Sequence, residues 1–117
     1  MEDRRRQSLL LDFYGELLTD KQRGCYDLHV NEDLSLSEIA EQLGVSRQGV
    51  WDNIRRAEKT LTEIEEKTGL IARFEETRAA LDRLGAELDE LAALTEGEAG
   101  ALVSKLSGEL RELRDRG

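Results

Sequence analysis

The sequence predicts an all-α protein built around a helix-turn-helix. Three observations carry that expectation. The 117 residues include no proline and ten glycines, so glycine alone punctuates the chain. Apolar residues recur at three- and four-residue spacing almost throughout, and alternating strand patterns are rare. The stretch SLSEIAEQLGVSRQGVWDNIRR, residues 35–56, reads as two short helices around a tight turn.

The elements follow in order. RRRQSLLLDFYGELL places Leu9, Leu10, Phe13, Tyr14 and Leu17 on one helical stripe. Arg4, Arg5 and Arg6 before it are offset by Glu2 and Asp3 and are expected to fray. Thr19 with Gln22 three residues later fits a capping box, opening a helix over about 20–30. Cys25, Tyr26 and Leu28 are its burial candidates. Asn31, Glu32 and Asp33 form a polar break.

Ser35 and Glu38 give a second capping box, and Gly44 ends that helix where a positive φ is cheap only for glycine. Val45 plugs the turn and Ser46 caps the next helix. Ala40 is the small residue at the helix crossing. Ile39, Leu43, Val45, Val50 and Ile54 are expected to lock the two helices together. From Val50 the apolar rhythm runs through Ile54, Ala57, Leu61 and Ile64 to Ile71, with a gap at Thr68 and a credible end at Gly69.

A further helix, about 70–94, shows Leu70, Phe74, Leu81, Leu84, Leu88 and Leu91. Gly85 inside it costs about 1 kcal/mol relative to alanine. Residues 95–98 read as a linker. A last helix, about 100–115, carries Leu102, Val103, Leu106, Leu110 and Leu113. Neither tail helix can bury its stripe alone; the two fold as a hairpin, dock on the first domain, or pair with another chain.

Composition narrows the function. Aromatic residues are only 4% and charged residues 37%, so the core is mostly aliphatic and shallow. A chain this small gains from self-association, and a homodimer is expected. Cys25 is the single cysteine and cannot form an internal disulfide. No apolar run approaches the roughly 18 to 20 residues that span a bilayer, so a cytoplasmic protein without membrane insertion is expected. Signals of catalysis are missing: no Gly-rich phosphate loop, no paired Cys or His at metal spacing, no Ser-His-Asp set. The chain reads as a non-enzyme that needs no cofactor and no metal. His29 has no partner ligand or nucleophile in sequence, and reads as a surface or half-buried helix residue.

The candidate binding surface is the second helix of the motif. At about 100° per residue, Val50, Ile54, Ala57 and Leu61 point one way. Gln48, Asp52, Arg55, Arg56 and Lys59 point roughly opposite. Arg47 sits at the helix start and Trp51 at the edge of the stripe. Arg and Gln can bond guanine and adenine edges, and Lys or Arg can hold phosphates. Residues 46–59 carry a balance of +2 inside a chain of −9. So small a positive charge releases few counterions and binds nucleic acid weakly in one copy; a dimer doubles it. The bland alternative is a solvated face opposite an apolar stripe. Trp51 by the same reasoning is a packed edge residue.

LLLDFYGELLTDKQR followed by NEDLSLSEIAEQLGVSRQGVWDNIRRAEKTL resembles the YlxM family of small bacterial helix-turn-helix proteins, over about residues 8–74. More distantly, residues 19–61 resemble region four of sigma factors. There Arg47 and Gln48 fall at the start of the recognition helix, and Arg55, Arg56 and Lys59 where backbone-facing cations occur. The resemblance implies a regulatory role in the signal recognition particle pathway, with the particle's GTPase or its RNA as partner. A sequence-specific DNA-binding regulator is the alternative. A third reading is an adaptor whose leucine-rich tail pairs with another helical protein. The resulting expectation is a sigma-region-four-like domain over 7–68 and a C-terminal helical extension over 69–117. Residues 75–117 lie outside the pattern that carries the resemblance, as a departure from the family.

Overall fold

The computed structural model describes residues 3–116, and every regular element among them is helical. The order is α1 (Arg4–Tyr14), a 3-10 turn (Gly15–Leu17), α2 (Asp20–Val30), α3 (Leu36–Leu43), α4 (Arg47–Thr68), α5 (Leu70–Leu94) and α6 (Gly97–Arg116). The chain divides into two compact units, the first ending at Ile71 and the second beginning at Ala72.

Local chemistry explains the boundaries. Asp3 caps α1 by accepting from the Arg6 amide at 2.8 Å. Both capping boxes form: Thr19 with Gln22 opens α2, and Ser35 with Glu38 opens α3. Each satisfies two amides that the first helical turn leaves without partners. The Ser35 bonds hold the Glu38 carboxyl below its ordinary range, the backbone amide contributing most. Gly44 ends α3 at φ 68°, and its amide returns to the Ala40 carbonyl. Gly69 ends α4 in the same left-handed region, at φ 63°.

α4 is the spine of the first unit and packs against α1, α2 and α3. Val50, Ile54, Ala57 and Leu61 form its inward stripe. They meet Leu10, Leu11, Tyr14, Leu18, Cys25, Tyr26, Val30, Ile39 and Ile71 in one core. Cys25 is buried as a small hydrophobe, and burial pushes its thiol pKa up. The arginines at the start do not fray. Arg4 is the first residue of α1, and its guanidinium reaches the Asp33 carboxylate at 2.6 Å.

The first apolar stripe is rotated from its sequence expectation. The buried set is Leu10, Leu11, Tyr14 and Leu18, while Phe13 and Leu17 are exposed. Leu17 falls in the 3-10 turn Gly15–Leu17, whose tighter winding takes it off the period of α1. The lock of the helix-turn-helix is also smaller than expected. Ile39, Val50 and Ile54 are buried, but Leu43 is 42% and Val45 40% exposed. Val45 lies beyond the left-handed Gly44, which redirects the chain.

A buried polar joint closes the unit. Glu65 lies on the inward stripe, one turn after Leu61, and is only 6% exposed. Its Oε1 accepts from the Tyr14 hydroxyl at 2.6 Å and from the Ile71 amide at 2.9 Å. Thr68 Oγ1 also lies 2.6 Å from the Tyr14 hydroxyl. The carboxylate thus takes one of the open amides at the start of α5. Burial and then the Glu65 bond raise the Tyr14 pKa, since the phenol is asked to stay a donor.

The second unit is a pair of helices, α5 and α6. Arg114 on α6 bonds Asp82 on α5 at 3.2 Å. A Cβ added at Gly85 would meet the Leu110 Cδ2 at 3.9 Å, so the Leu110 side chain lies against α5 there. α6 opens at Gly97, φ 66°, inside the segment that the sequence reads as a linker. Only Thr95 and Glu96 separate the two helices.

Candidate functional site

The candidate surface is the start and middle of α4. Ser46 caps the helix by accepting from the Gly49 amide at 3.0 Å. A side chain at residue 49 would bring its Cβ to 3.1 Å from the Ser46 hydroxyl, so glycine there keeps the cap unobstructed. With the cap fixed, Arg47 and Gln48 become the first two helical residues.

The structure places every sequence-predicted site residue on one outward side. Arg47, Gln48, Trp51, Asp52, Arg55, Arg56 and Lys59 are all exposed, while Val50, Ile54 and Ala57 between them are buried. Arg47, Gln48 and Trp51 line a shallow depression with Leu36 of α3. Arg55, one turn further, carries its guanidinium carbon 5.9 Å from the Trp51 ring centre, within cation–π range. Trp51, read from the sequence as a packed edge residue, is half-open, with 44% of its surface exposed.

Two internal bonds shape what the face can do. The Gln48 amide donates to Asp52 Oδ1 at 3.1 Å, one helical turn on. That bond holds the group best suited to read an adenine edge and lowers its availability. Asn53 donates to the Gly49 carbonyl and adds nothing to the outer face. Among the described residues, no ion pair holds Arg47, Arg55, Arg56 or Lys59. The positive character is bounded along the helix: the next groove runs from Arg55 and Lys59 to Glu58, Glu63 and Glu66.

Sequence reasoning missed the apolar part of this surface. Leu36 joins Trp51 in the depression, and Leu43 and Val45 are exposed just before Arg47. Their signal was present as an excess: the motif supplies more apolar residues than a three-helix crossing can cover. Among the described residues no cluster of three or more His, Cys, Asp or Glu side chains is placed to hold an ion. No described helix is long and apolar enough to cross a membrane.

Comparison with known proteins agrees with this geometry. Residues 1–98 match the model of the UPF0122 family, described as "Putative helix-turn-helix protein, YlxM / p13 like". The chain belongs to this family. A UPF0122 protein of Desulforamulus reducens is 40% identical over 116 residues, 99% of this chain and 97% of the relative. Another from Halalkalibacterium halodurans is 46% identical over 101 residues, 86% of this chain and 91% of the relative. A third, from Acetivibrio thermocellus, reaches 57% identity over 67 residues, 57% of each chain. These matches correct one sequence expectation. The tail is no departure from the family, because the family match runs into α6 and the D. reducens protein aligns across nearly the whole chain.

Proposed function

We propose that this UPF0122 protein is a non-enzymatic regulator in the cytoplasmic signal recognition particle pathway, docking on the particle's GTPase through the outward face of α4. The pathway comes from the family resemblance. The choice of a protein partner rests on one observation: a half-open Trp51, stacked by Arg55 and sharing a depression with Leu36, while Leu43 and Val45 are exposed in the turn before the helix. Tryptophan and arginine set among aliphatic neighbours is the composition of a binding hot spot. A chain of net charge −9 also meets a basic protein faster than it meets phosphate.

The test is direct binding of the full chain to the purified GTPase and, separately, to the particle's RNA. The expected outcome is GTPase binding that Trp51→Ala weakens by about tenfold or more. Retention of neither component removes the pathway, and retention of the RNA alone removes the protein partner.

A second reading is a sequence-specific DNA-binding regulator. Arg47 and Gln48 at the first positions of the second helix favour it. Selection from a random duplex pool under a salt titration separates the two. A DNA reader selects one sequence and loses affinity steeply with salt, and alanine at Arg47 and Gln48 relaxes the selection. A pool recovered without enrichment eliminates this reading.

A further inference from the structure

The second unit carries a surface that the α4 reading leaves unused. α5 and α6 are 25 and 20 residues long, yet Val103 is the only buried apolar side chain between Ala72 and Arg116. Leu84, Leu91, Leu102, Leu106 and Leu113 remain exposed, at 42% to 58% of their surface.

These leucines share one side of the hairpin. On α5 the half-buried residues Leu81, Gly85, Leu88 and Ala92 mark the contact with α6. At about 100° per residue, Leu84 and Leu91 lie to one side of that line. On α6 Val103, Ser107, Leu110 and Arg114 mark the contact, and Leu102, Leu106 and Leu113 lie to one side. Because the two helices run antiparallel, both displacements point the same way. The opposite side is polar: its groove is lined by Asp82, Asp89, Arg111 and Arg114, and the Arg114–Asp82 bond crosses it. The hairpin therefore has a stitched polar side and an open leucine side.

We infer that the leucine side is the interface with a second copy of this chain, the two hairpins stacking as a four-helix bundle about a two-fold axis. Two helices lying side by side with one bare face are half of such a bundle, and an identical hairpin supplies the matching length and residue spacing. The area is sufficient. α6 is about 30 Å long and two packed helices are about 20 Å wide, so each copy covers about 600 Å². The total of about 1,200 Å² is at the low end of specific interfaces. The rim carries both signs, Glu87 on α5 and Lys105, Glu109 and Arg116 on α6, and a two-fold axis can bring unlike charges together. A strongly basic or acidic partner finds no matching sign. The inference stands independently of what α4 binds. Its consequence is two α4 faces in one particle, which raises effective affinity for a partner with two sites.

Sedimentation of the full chain across the micromolar range reads the claim. A dimer is expected. Leu106→Glu should raise its dissociation constant at least about 100-fold with the helical circular dichroism retained, while Asp89→Lys on the polar side leaves it unchanged. Mixed-isotope amine cross-linking of the unaltered protein gives an answer that does not depend on any variant folding. Lys105 is the sole lysine after Lys67, and an intermolecular Lys105–Lys105 link is expected. A wild-type monomer overturns the inference, as does a dimer that survives Leu106→Glu or links only through Lys21, Lys59 and Lys67.

Discussion

The two units are made from similar residues and differ in what those residues enclose. Residues 1–71 carry a net charge of −5 and residues 72–117 one of −4. Both contain long amphipathic helices. The first unit closes Tyr26, Ile39, Val50, Ala57 and Leu61 completely from solvent. The second leaves most of its leucines in water. The difference is one of number: four helices at differing angles can surround a spine, and two helices can only share a seam. The first unit is thus a rigid platform able to hold the α4 face in place. The second is a helical pair with an open apolar side.

Core truncation should separate the units most sharply. Leu61→Ala leaves a cavity at the centre of the first unit and should cost about 3–5 kcal/mol in urea unfolding, whereas Leu94→Ala, at 82% exposure, should change it by less than about 0.5 kcal/mol. Comparable losses at both positions would erase the distinction.

The buried joint comes next. Glu65→Ala strips the acceptor from the Tyr14 hydroxyl and the Ile71 amide and should cost about 2–3 kcal/mol. Glu65→Gln keeps an acceptor and should cost less. The phenol adds a pH dependence with a definite sign. Its folded pKa lies above the unfolded value of 10.0. The unfolded chain therefore gives up this proton first, and the stabilisation is complete below that pH and lost as pH rises through the folded value. Tyr14→Phe should flatten the alkaline limb of the stability curve. An unchanged limb would mean that another group sets it.

Smaller effects test single backbone positions. Gly44→Ala forces a Cβ into the left-handed region at φ 68° and should destabilise by about 1–2 kcal/mol. Gly85→Ala has the opposite sign. Its backbone is helical and its new Cβ meets Leu110 at an ordinary 3.9 Å, so the helix should gain about 1 kcal/mol. Thermal unfolding of the two variants side by side reads both signs.

The legible parts of the fold are those set by neighbours in sequence. Thr19 with Gln22, Ser35 with Glu38, and Gly44 each decide a helix end within four residues, and the outward set on α4 followed from helical period alone. What stayed hidden depends on residues far apart. The 3-10 turn at Gly15 took Leu17 off the first stripe, and no periodicity within α1 foretells it. Glu65 did leave a trace, a carboxylate on the apolar stripe of α4, but its partner Tyr14 lies 51 residues away. Leu43 and Val45 fit a helix-turn-helix lock by pattern, and only the packed crossing reveals that Ile39, Val50 and Ile54 fill it.

Amide hydrogen exchange of the full chain, with and without the signal recognition particle GTPase, tests the central claim most directly. The account predicts new protection across residues 46–59 at the start of α4, with the amides of α5 and α6 unchanged from the free protein. Protection confined to α5 and α6, with residues 46–59 exchanging as in the free protein, would contradict it.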